Sequence, residues 1–557
     1  MDSKIHWLEW SKETFERAKM ENKPILLSIS ATWCHWCHVM DQNTYDNKDV
    51  AEFINESFIP VRVDTDKRPD INERYNQGGW PSTVFMDENG SIITGATYVP
   101  PYEFLSMLGQ ISELYKHRKK DIINKIIPKP LETVKKGELS DDIFSSVLKI
   151  LIESFDVSYG GFGFEPKFPM PEAVEICFVN FLRTKKNDAN EPTPEASKHT
   201  SISSGRQYLR MATITLDSMA MLQDKVEGGF FRYSVTRDWE VPHFEKMLEG
   251  NAGIIRNYLH AYSITQKEMY KKIAEHALNY IKNNLANENH FYASQDADEE
   301  YYKKKMEERQ ISKNPYIDKT MYTNFNSMMV QTYLKAFLVL KDKFYLGFAE
   351  KAIAFIIENC LSKEGLSHTP GEKLYFLTDH ARFSLALIEA YEITQNKKYL
   401  QTAEELALVM MDKFYDKESR NFNDISEEGE GLLAQRMKNI VENSIAAEVF
   451  LRLSIHLESS HFKEIAQSTL ESFALSYKDY SIHAAQYALA VEKLLHAREI
   501  HIYGDYQIND LLINPRNIVV QLTEDEAKKK GYQKKGVYVC SDGLCKYYES
   551  VEDIEKP

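Results

Sequence analysis

Two cysteines separated by two residues are the most chemically distinctive feature of this 557-residue sequence. The segment from Trp33 to His38 reads Trp-Cys-His-Trp-Cys-His and follows an apolar run of strand length. A cysteine at the start of a helix lies beside unpaired backbone N–H groups and the positive end of the helix dipole, which lowers its pKa. Cys34 is therefore the predicted nucleophile, and Cys37, one turn later, is placed to resolve a mixed disulfide. We expect His35 to stabilise the Cys34 thiolate further.

A proline later in the sequence supports the same chemistry. In thioredoxin-like folds a cis-proline faces the cysteine pair and begins the third main strand, and Trp80-Pro81 precedes such a strand candidate at residues 82–85. We expect Pro81 to shape the substrate groove. Trp33, Trp36 and Trp80 flank the pair and the proline, and we expect them to contact the substrate.

Other interpretations of the cysteine pair stay open. Cys34 to His38 also reads as a haem c attachment string, although the sequence holds a single copy between a strand and a helix. Zinc would need a closed tetrahedral set of ligands, which neighbours on one turn cannot supply. A pair retained for packing is a third interpretation. Position 28, where redox-active relatives carry a buried acid, is Ser28, so fast general reductase turnover is in doubt. We expect neither a metal nor a bound cofactor.

The elements around the pair predict an α/β domain over residues 1–122. Ser11 and Asn47 are helix N-cap candidates, and continuous apolar runs are typical of doubly covered strands. In chain order, we predict a helix at 11–22, a strand at 25–30, a helix at 47–57, a strand at 58–64, a hairpin at 79–93 and a helix near 102–117.

Long amphipathic helices with short loops follow, from about residue 140 to 498. Several helices end in aromatic and glycine-rich stretches, such as residues 159–163 and 227–230, which favours paired helices with functional loops at one end. The sequence thus predicts an all-α toroid of the (α/α)6 type over residues 138–498. Residues 499–557 hold three strand candidates and form a small C-terminal α/β appendage.

Carboxylates and aromatic residues in the toroid are candidates for binding a substrate. Glycoside chemistry uses a raised-pKa acid opposite an ionised carboxylate, together with aromatic platforms. The alternative is a structural network, since Arg232, Arg237 and Lys246 can pair with the same carboxylates. The candidate substrate-binding residues of this domain are Arg232, Trp239, His243, Glu245, Asp296 and Asp298.

Composition narrows the function classes. Hydrophobic residues make up 43% and charged residues 27%, and no stretch approaches the roughly 18 apolar residues that span a bilayer. A formal charge of −15 disfavours a nucleic-acid partner. The N-terminus has no signal-peptide pattern, so we expect a cytoplasmic protein without membrane contact. In a reducing cytosol, Cys540 and Cys545 are expected as a plain thiol pair, with a tail disulfide or a resolving pair as alternatives. The oligomeric state cannot be predicted.

Several motifs resemble the spermatogenesis-associated protein 20 family across nearly the whole chain. The resemblance implies a thioredoxin-like domain followed by a helical toroid similar to six-hairpin glycosidases, in a family whose activity is generally assigned by homology. The motifs are residues 32–40, 63–70, 78–81, 160–169, 228–234, 241–248 and 296–298.

Two hypotheses of function come from these features. The first is a thiol-disulfide oxidoreductase-like protein that exchanges electrons with a redox partner, while the toroid selects or holds that partner. The alternative is a carbohydrate-active or carbohydrate-binding toroid, similar to glycosidases or epimerases, with the thioredoxin-like domain as a regulatory attachment. A scaffold without catalysis is a third class.

Overall fold

The computed structural model of the chain describes residues 4–123, 134–188, 205–541 and 544–554. These residues form an N-terminal thioredoxin-like α/β domain, a helical toroid and a C-terminal α/β appendage, so the predicted fold class is confirmed. Within the described ranges, none of the helices combines the length and the hydropathy needed to cross a membrane.

The N-terminal domain is built on a four-stranded sheet with the order β2-β1-β3-β4. Strand β1 lies parallel to β2 and antiparallel to β3, and its first five residues are buried because helices cover both faces. The predicted βαβ unit and hairpin are therefore confirmed. The elements are α1 Lys12–Glu21, β1 Ile25–Ser30, α2 His35–Met40, α3 Lys48–Ser57, β2 Ile59–Asp64, α4 Pro69–Tyr75, β3 Ser82–Met86, β4 Ile92–Ala96 and α5 Pro101–Ile123.

The toroid consists of an inner and an outer ring of helices. In the described part of the chain, α7, α9, α13, α15, α17 and α19 contact one another in turn and close the inner ring, while α8, α10, α14, α16, α18 and α6 pack outside it. Its helices are α6 Asp141–Ser154, α7 Pro171–Asp188, α8 Gly205–Met219, α9 Leu248–Thr265, α10 Glu268–Asn284, α11 Glu299–Tyr302, α12 Met306–Gln310, α13 Thr323–Leu340, α14 Lys343–Cys360, α15 Leu377–Thr394, α16 Lys397–Lys413, α17 Ile440–His456, α18 Ser460–Glu471 and α19 Ala485–His496.

The loops of the toroid differ at its two ends. Connections from inner to outer helices are short at residues 266–267, 341–342 and 395–396, whereas those entering the inner helices are long and carry small strands. The long loops therefore gather where the inner helices begin. Their strands are β5 Tyr233–Ser234, β6 Pro242–His243, β7 Lys246–Met247, β8 Ser294–Gln295, β9 Ile317–Asp318, β10 Leu361–Ser362, β11 Gly365–Leu366, β12 Tyr415–Asp416 and β13 Asn421–Phe422.

The appendage repeats the strand arrangement of the N-terminal sheet. Its order is β15-β14-β16-β17, with β14 parallel to β15 and antiparallel to β16. The three predicted strand candidates correspond to β14, β15 and β16, and β17 was not predicted. Its elements are β14 Arg498–Tyr503, α20 Asn509–Ile513, β15 Asn517–Leu522, α21 Glu524–Lys529, β16 Gly536–Ser541 and β17 Leu544–Tyr548.

The two α/β domains occupy opposite ends of the toroid. The thioredoxin-like domain sits on the long loops and shares a hydrophobic cluster with Phe376, Ile425 and Leu433. The appendage packs at the other end, where Ile455, near the C-terminus of α17, contacts the cluster that includes Ala527. Both openings of the helical ring are therefore covered by a neighbouring domain.

Candidate functional site

The cysteine pair lies at the start of α2, directly after β1. Cys34 is the N-cap of this helix, and its Sγ accepts a hydrogen bond from the Cys37 N–H at 3.1 Å. The two cysteines are joined as a disulfide. Because the sulfur of Cys34 faces the N-terminal end of a helix, the fold favours the thiolate whenever the pair is reduced.

The cover over the pair comes from both domains. Cys34 is 4% exposed and Cys37 is 2% exposed. They pack in one cluster with Ala31, Trp33, Met247 and the partly buried Trp80. Met247 belongs to the toroid, where it is the N-cap of α9. The Trp80–Pro81 peptide bond is cis and leads into β3. A residue of the toroid thus helps to close the disulfide off from solvent.

Arg232 joins the toroid to the tryptophans beside the pair. Its guanidinium carbon lies 4.4 Å from the centre of the Trp33 ring and 5.0 Å from that of Trp80. The neighbouring Tyr233 stacks on His243 with ring centres 4.7 Å apart. Cation–π contacts of this kind stabilise an arginine over aromatic faces. Three residues predicted separately, Arg232, Trp33 and Trp80, are therefore brought together at the domain interface.

His38 forms a second link between the domains. Its Nε2 lies 3.1 Å from Asp296 Oδ2 in the toroid and 3.0 Å from the Thr32 carbonyl oxygen. The hydrogen bond to Asp296 is the main cause that raises the pKa of His38. His35 is exposed, and its ring contacts that of Trp36. The predicted sugar-binding residue Asp296 thus lies against the thioredoxin-like domain.

The other toroid candidates lie in different surroundings. Trp239 is fully buried and its Nε1 donates to the Tyr159 carbonyl at 3.0 Å, so its ring offers no face to a ligand, in contrast to the expected platform. Buried Glu245 accepts from His243 Nδ1 at 3.0 Å. Asp298 caps α11 by accepting the Tyr301 N–H. The carboxylates thus have structural contacts, but the predicted pairing with Arg232, Arg237 and Lys246 is wrong. Arg237 pairs with Asp156 and Lys246 pairs with Asp224, whereas Arg232 lies over Trp33.

Two interface residues were missed by the sequence analysis. Trp33 Nε1 donates to Asp66 Oδ2 at 2.8 Å, and His368 Nε2 lies 2.7 Å from the Asp66 carbonyl oxygen. Burial, reinforced by the charges of Asp64 and Glu249, raises the pKa of Asp66 well above its usual value. Two signals were available for Asp66: it lies just beyond the end of β2, at the same edge of the sheet as the cysteine pair, and within the motif at residues 63–70.

The lumen of the toroid holds a charged cavity of about 200 Å³. Arg452 on α17 lies 3.1 Å from Glu392 on the neighbouring inner helix α15 and 3.2 Å from Glu448, one turn earlier on its own helix. Burial lowers the pKa of Lys335, which also lines the cavity, to about 8. None of these residues was singled out from the sequence.

Comparison with known proteins assigns the N-terminal domain to a family. Residues 1–129 match the family Thioredox_DsbH, described as a protein of unknown function, DUF255. An H-type thioredoxin from Fagopyrum esculentum is 32% identical over 90 residues, covering 16% of this chain and 73% of that protein. The N-terminal domain belongs to the thioredoxin family.

The remaining similarity reaches beyond this thioredoxin-like domain. Spermatogenesis-associated protein 20 from Homo sapiens is 31% identical over 321 residues, covering 53% of this chain and 39% of that protein. The predicted resemblance is thereby confirmed over 53% of this chain, which is less than the nearly whole chain that was predicted. The chain spans about two fifths of the length of such relatives. Among solved structures, cellobiose 2-epimerase from Bacillus thermoamylovorans has a TM-score of 0.46 at 14% identity, covering 61% of this chain and 87% of that one.

Proposed function

We propose that the protein is a thiol-disulfide oxidoreductase-like enzyme in which Cys34 attacks and Cys37 resolves. The observation that carries this proposal is the position of Cys34 as the N-cap of α2, with its sulfur accepting the Cys37 N–H. In the reduced enzyme, the Cys34 thiolate attacks a disulfide of the partner and displaces one partner thiolate. Cys37 then attacks Cys34 Sγ and releases the second, so the partner gains the two electrons that the pair loses.

The toroid restricts which partners reach the pair. Met247 packs on the cysteines, and Arg232 stacks over Trp33 and Trp80 beside them. A partner thiol must displace part of this cover before its sulfur can contact Cys34. The proposed substrate is therefore a thiol or disulfide group that the domain interface admits, and the electrons come from an external dithiol.

The reduction potential of the pair tests the redox role. We expect a value of about −270 to −200 mV in glutathione buffers, the range of thioredoxins and glutaredoxins. Cys34→Ser should abolish exchange, whereas Cys37→Ser should trap a mixed disulfide on Cys34. Equal reactivity of the two single variants, or a pair that resists reduction, would contradict the proposal.

Substitution of Met247 tests the role of the cover. Met247→Ala should accelerate reduction of the disulfide by dithiothreitol, because it opens the toroid side of the pair. Met221→Ala is the matched control, since Met221 is a toroid methionine that is 51% exposed. A Met247→Ala protein that reacts at the wild-type rate would show that the toroid does not limit access.

A second candidate function is binding or conversion of a carbohydrate in the toroid. The observation in its favour is the lumen cavity, whose wall combines carboxylates with arginine and lysine side chains. Its volume of about 200 Å³ is below the roughly 300–1,000 Å³ typical of ligand pockets, which places this function second. Saturable binding from a glycan panel that is lost in Glu389→Gln would support it, and no binding across the panel would count against it.

A further inference from the structure

The C-terminal appendage contains a second sulfur site that is independent of Cys34 and Cys37. Cys540 on β16 and Cys545 on β17 are directly opposite in the antiparallel register and are joined as a disulfide, so the expected plain thiol pair is wrong and the alternative of a tail disulfide holds. Cys540 is 7% exposed, whereas Cys545 is exposed. A pair with one accessible and one buried sulfur has the asymmetry that attack and resolution require.

Polar groups converge on this pair from the neighbouring elements. His501 Nδ1, on β14, lies 3.7 Å from Cys540 Sγ, and its Nε2 lies 3.7 Å from Glu499 Oε2. The Tyr532 hydroxyl lies 3.4 Å from Cys540 Sγ and 3.3 Å from Cys545 Sγ. His501 is buried, so its ring is held in place beside the sulfur. A group that accepts a proton is thus in contact with the buried cysteine.

The position of Tyr532 argues against a metal centre made of the same groups. His501, Cys540 and Cys545 bring their ligand atoms within 4.8 Å of one another, as a metal site would. The Tyr532 hydroxyl, however, contacts both sulfurs and lies 2.7 Å from His501 Nδ1. It therefore fills the point where an ion bound by all three would sit. A stacked contact with Tyr538, at 3.8 Å between ring centres, fixes the phenol there.

We propose that Cys540 and Cys545 form a second thiol-disulfide exchange site whose reactant is a small, low-molecular-weight disulfide. The exposed Cys545 thiolate attacks this disulfide, its S–S bond breaks, and the first thiolate leaves and takes a proton from water. Cys540 passes its proton to His501 and attacks Cys545 Sγ, which releases the second thiolate. That thiolate takes the proton from His501. Two protein thiols are oxidised to one disulfide, and the small disulfide is reduced to two thiols.

Glu499 supports His501 in this step without touching the sulfurs. The proximity of His501, 3.7 Å from the carboxylate, is the main cause that lowers the pKa of Glu499, which favours the ionised carboxylate beside the ring. The carboxylate lies beside Nε2, while Nδ1 of the same ring faces Cys540 Sγ, so Glu499 helps to orient the imidazole toward the sulfur. Glu499 is therefore a positioning residue of the second site.

Glutathione disulfide is the probe that tests this site in the full chain. A Cys34→Ser/Cys37→Ser background removes the first pair, and alkylation followed by mass spectrometry reports each remaining cysteine. We expect reversible exchange in this background. Adding Cys540→Ser should leave glutathione trapped on Cys545, whereas adding Cys545→Ser should prevent any mixed disulfide.

The rate at which Cys540 displaces glutathione from Cys545 separates a chemical role of His501 from a structural one. Proton transfer by a positioned side chain contributes roughly 10²–10⁴-fold, so His501→Gln should slow the attack of Cys540 on the mixed disulfide by about a hundredfold or more. His461→Gln is the control, since His461 is an exposed toroid histidine and should leave the rate unchanged.

Three results would overturn the proposal. The Cys540→Ser variant could fail to accumulate glutathione on Cys545. The His501→Gln variant could also resolve its mixed disulfide as fast as the Cys34→Ser/Cys37→Ser background does. Finally, the reduced background protein could bind one zinc ion and show no exchange, and the Cys540→Ser variant could lose that ion. This result would make the site a metal centre. The trapping experiment leaves His501 unchanged, so it decides the matter even where the histidine variant does not fold.

Discussion

Arg74 is the residue whose substitution tests most directly how the domains are held together. Its side chain reaches from α4 into the toroid and donates to both oxygens of Asp424, at 2.7 and 3.3 Å. It also donates to the carbonyls of Leu432 and Gln435. The side chains of Arg74 and Asp424 are 3% and 6% exposed. We expect Arg74→Met to weaken the attachment of the thioredoxin-like domain strongly.

The magnitude comes from the buried charge that the substitution leaves behind. Removing one partner of a buried pair costs about 3–5 kcal/mol, because the remaining carboxylate is desolvated without a counterion. That energy corresponds to a factor of roughly 150 to 5,000 in the equilibrium between docked and undocked domains. Asp424→Leu in the same protein removes the unpaired charge, so the double variant should be more stable than Arg74→Met.

Reduction of the Cys34–Cys37 disulfide by dithiothreitol is the assay. If the sulfurs become accessible only when the domains separate, and separation is fast compared with reduction, the rate follows the undocked population. Arg74→Met should then react about 150-fold faster or more. Arg17→Met is the control, since Arg17 forms an exposed ion pair with Glu21 on α1 and should react at the wild-type rate.

Two results would refute this reasoning. An Arg74→Met protein with lower stability but an unchanged reduction rate would show that the pair is reached by a local movement at Met247. Unchanged stability, measured by urea unfolding, would show that the buried pair does not hold the domains.

Three further predictions concern individual side chains. Asp296→Asn should destabilise the protein by about 1 kcal/mol or less at acidic pH, where His38 is protonated. Because the pKa of His38 is raised in the folded state, the stability difference between the variant and the wild type should disappear as the pH rises through that pKa. Thermal melting at a series of pH values measures this difference. Burial lowers the pKa of Lys246, which donates a hydrogen bond to Asp224 at 2.7 Å, to about 8. The unfolded chain then binds more protons than the folded protein between about pH 8 and pH 10.4, so the free energy of unfolding, relative to that of Lys246→Met, should rise over this range. A fall of this relative stability with pH would contradict the lowered pKa. Burial raises the pKa of the Cys177 thiol, so iodoacetamide should label Cys177 only in urea; labelling of the folded chain would show that the interior opens.

Much of the fold could be predicted because its signals are local. The strand before Cys34 is a continuous apolar run, and the helices of the toroid show a regular period in sequence. No local sequence signal indicates which residues hold the two domains together. Arg74 and Asp424 are 350 residues apart in the chain, and neither lies in a pattern that indicates a partner.

The site was predictable to a similar extent. Residue type and spacing identified Cys34 and Cys37, whereas Met247 reads as an ordinary apolar residue at the start of a helix. Trp239 shows the opposite error, because the sequence suggested a binding role for a residue that lies in the core. A tryptophan suits a sugar platform and a core equally well, and only the burial of its ring distinguishes the two. The charges of the lumen, such as Arg452, look in sequence like a solvent-facing helix surface.

The covered ends of the helical ring determine how far apart the two disulfides lie. Cys34 and Cys37 pack against Met247, the residue before the inner helix α9, whereas the appendage with Cys540 packs near the end of the inner helix α17. An inner helix such as Leu248–Thr265 has 18 residues and therefore spans about 27 Å. Sulfur atoms exchange only in direct contact, so one chain cannot pass electrons from one pair to the other. In the proposed exchange reactions, each pair therefore reacts separately with an external thiol or disulfide, and the two pairs can be in different oxidation states at the same time.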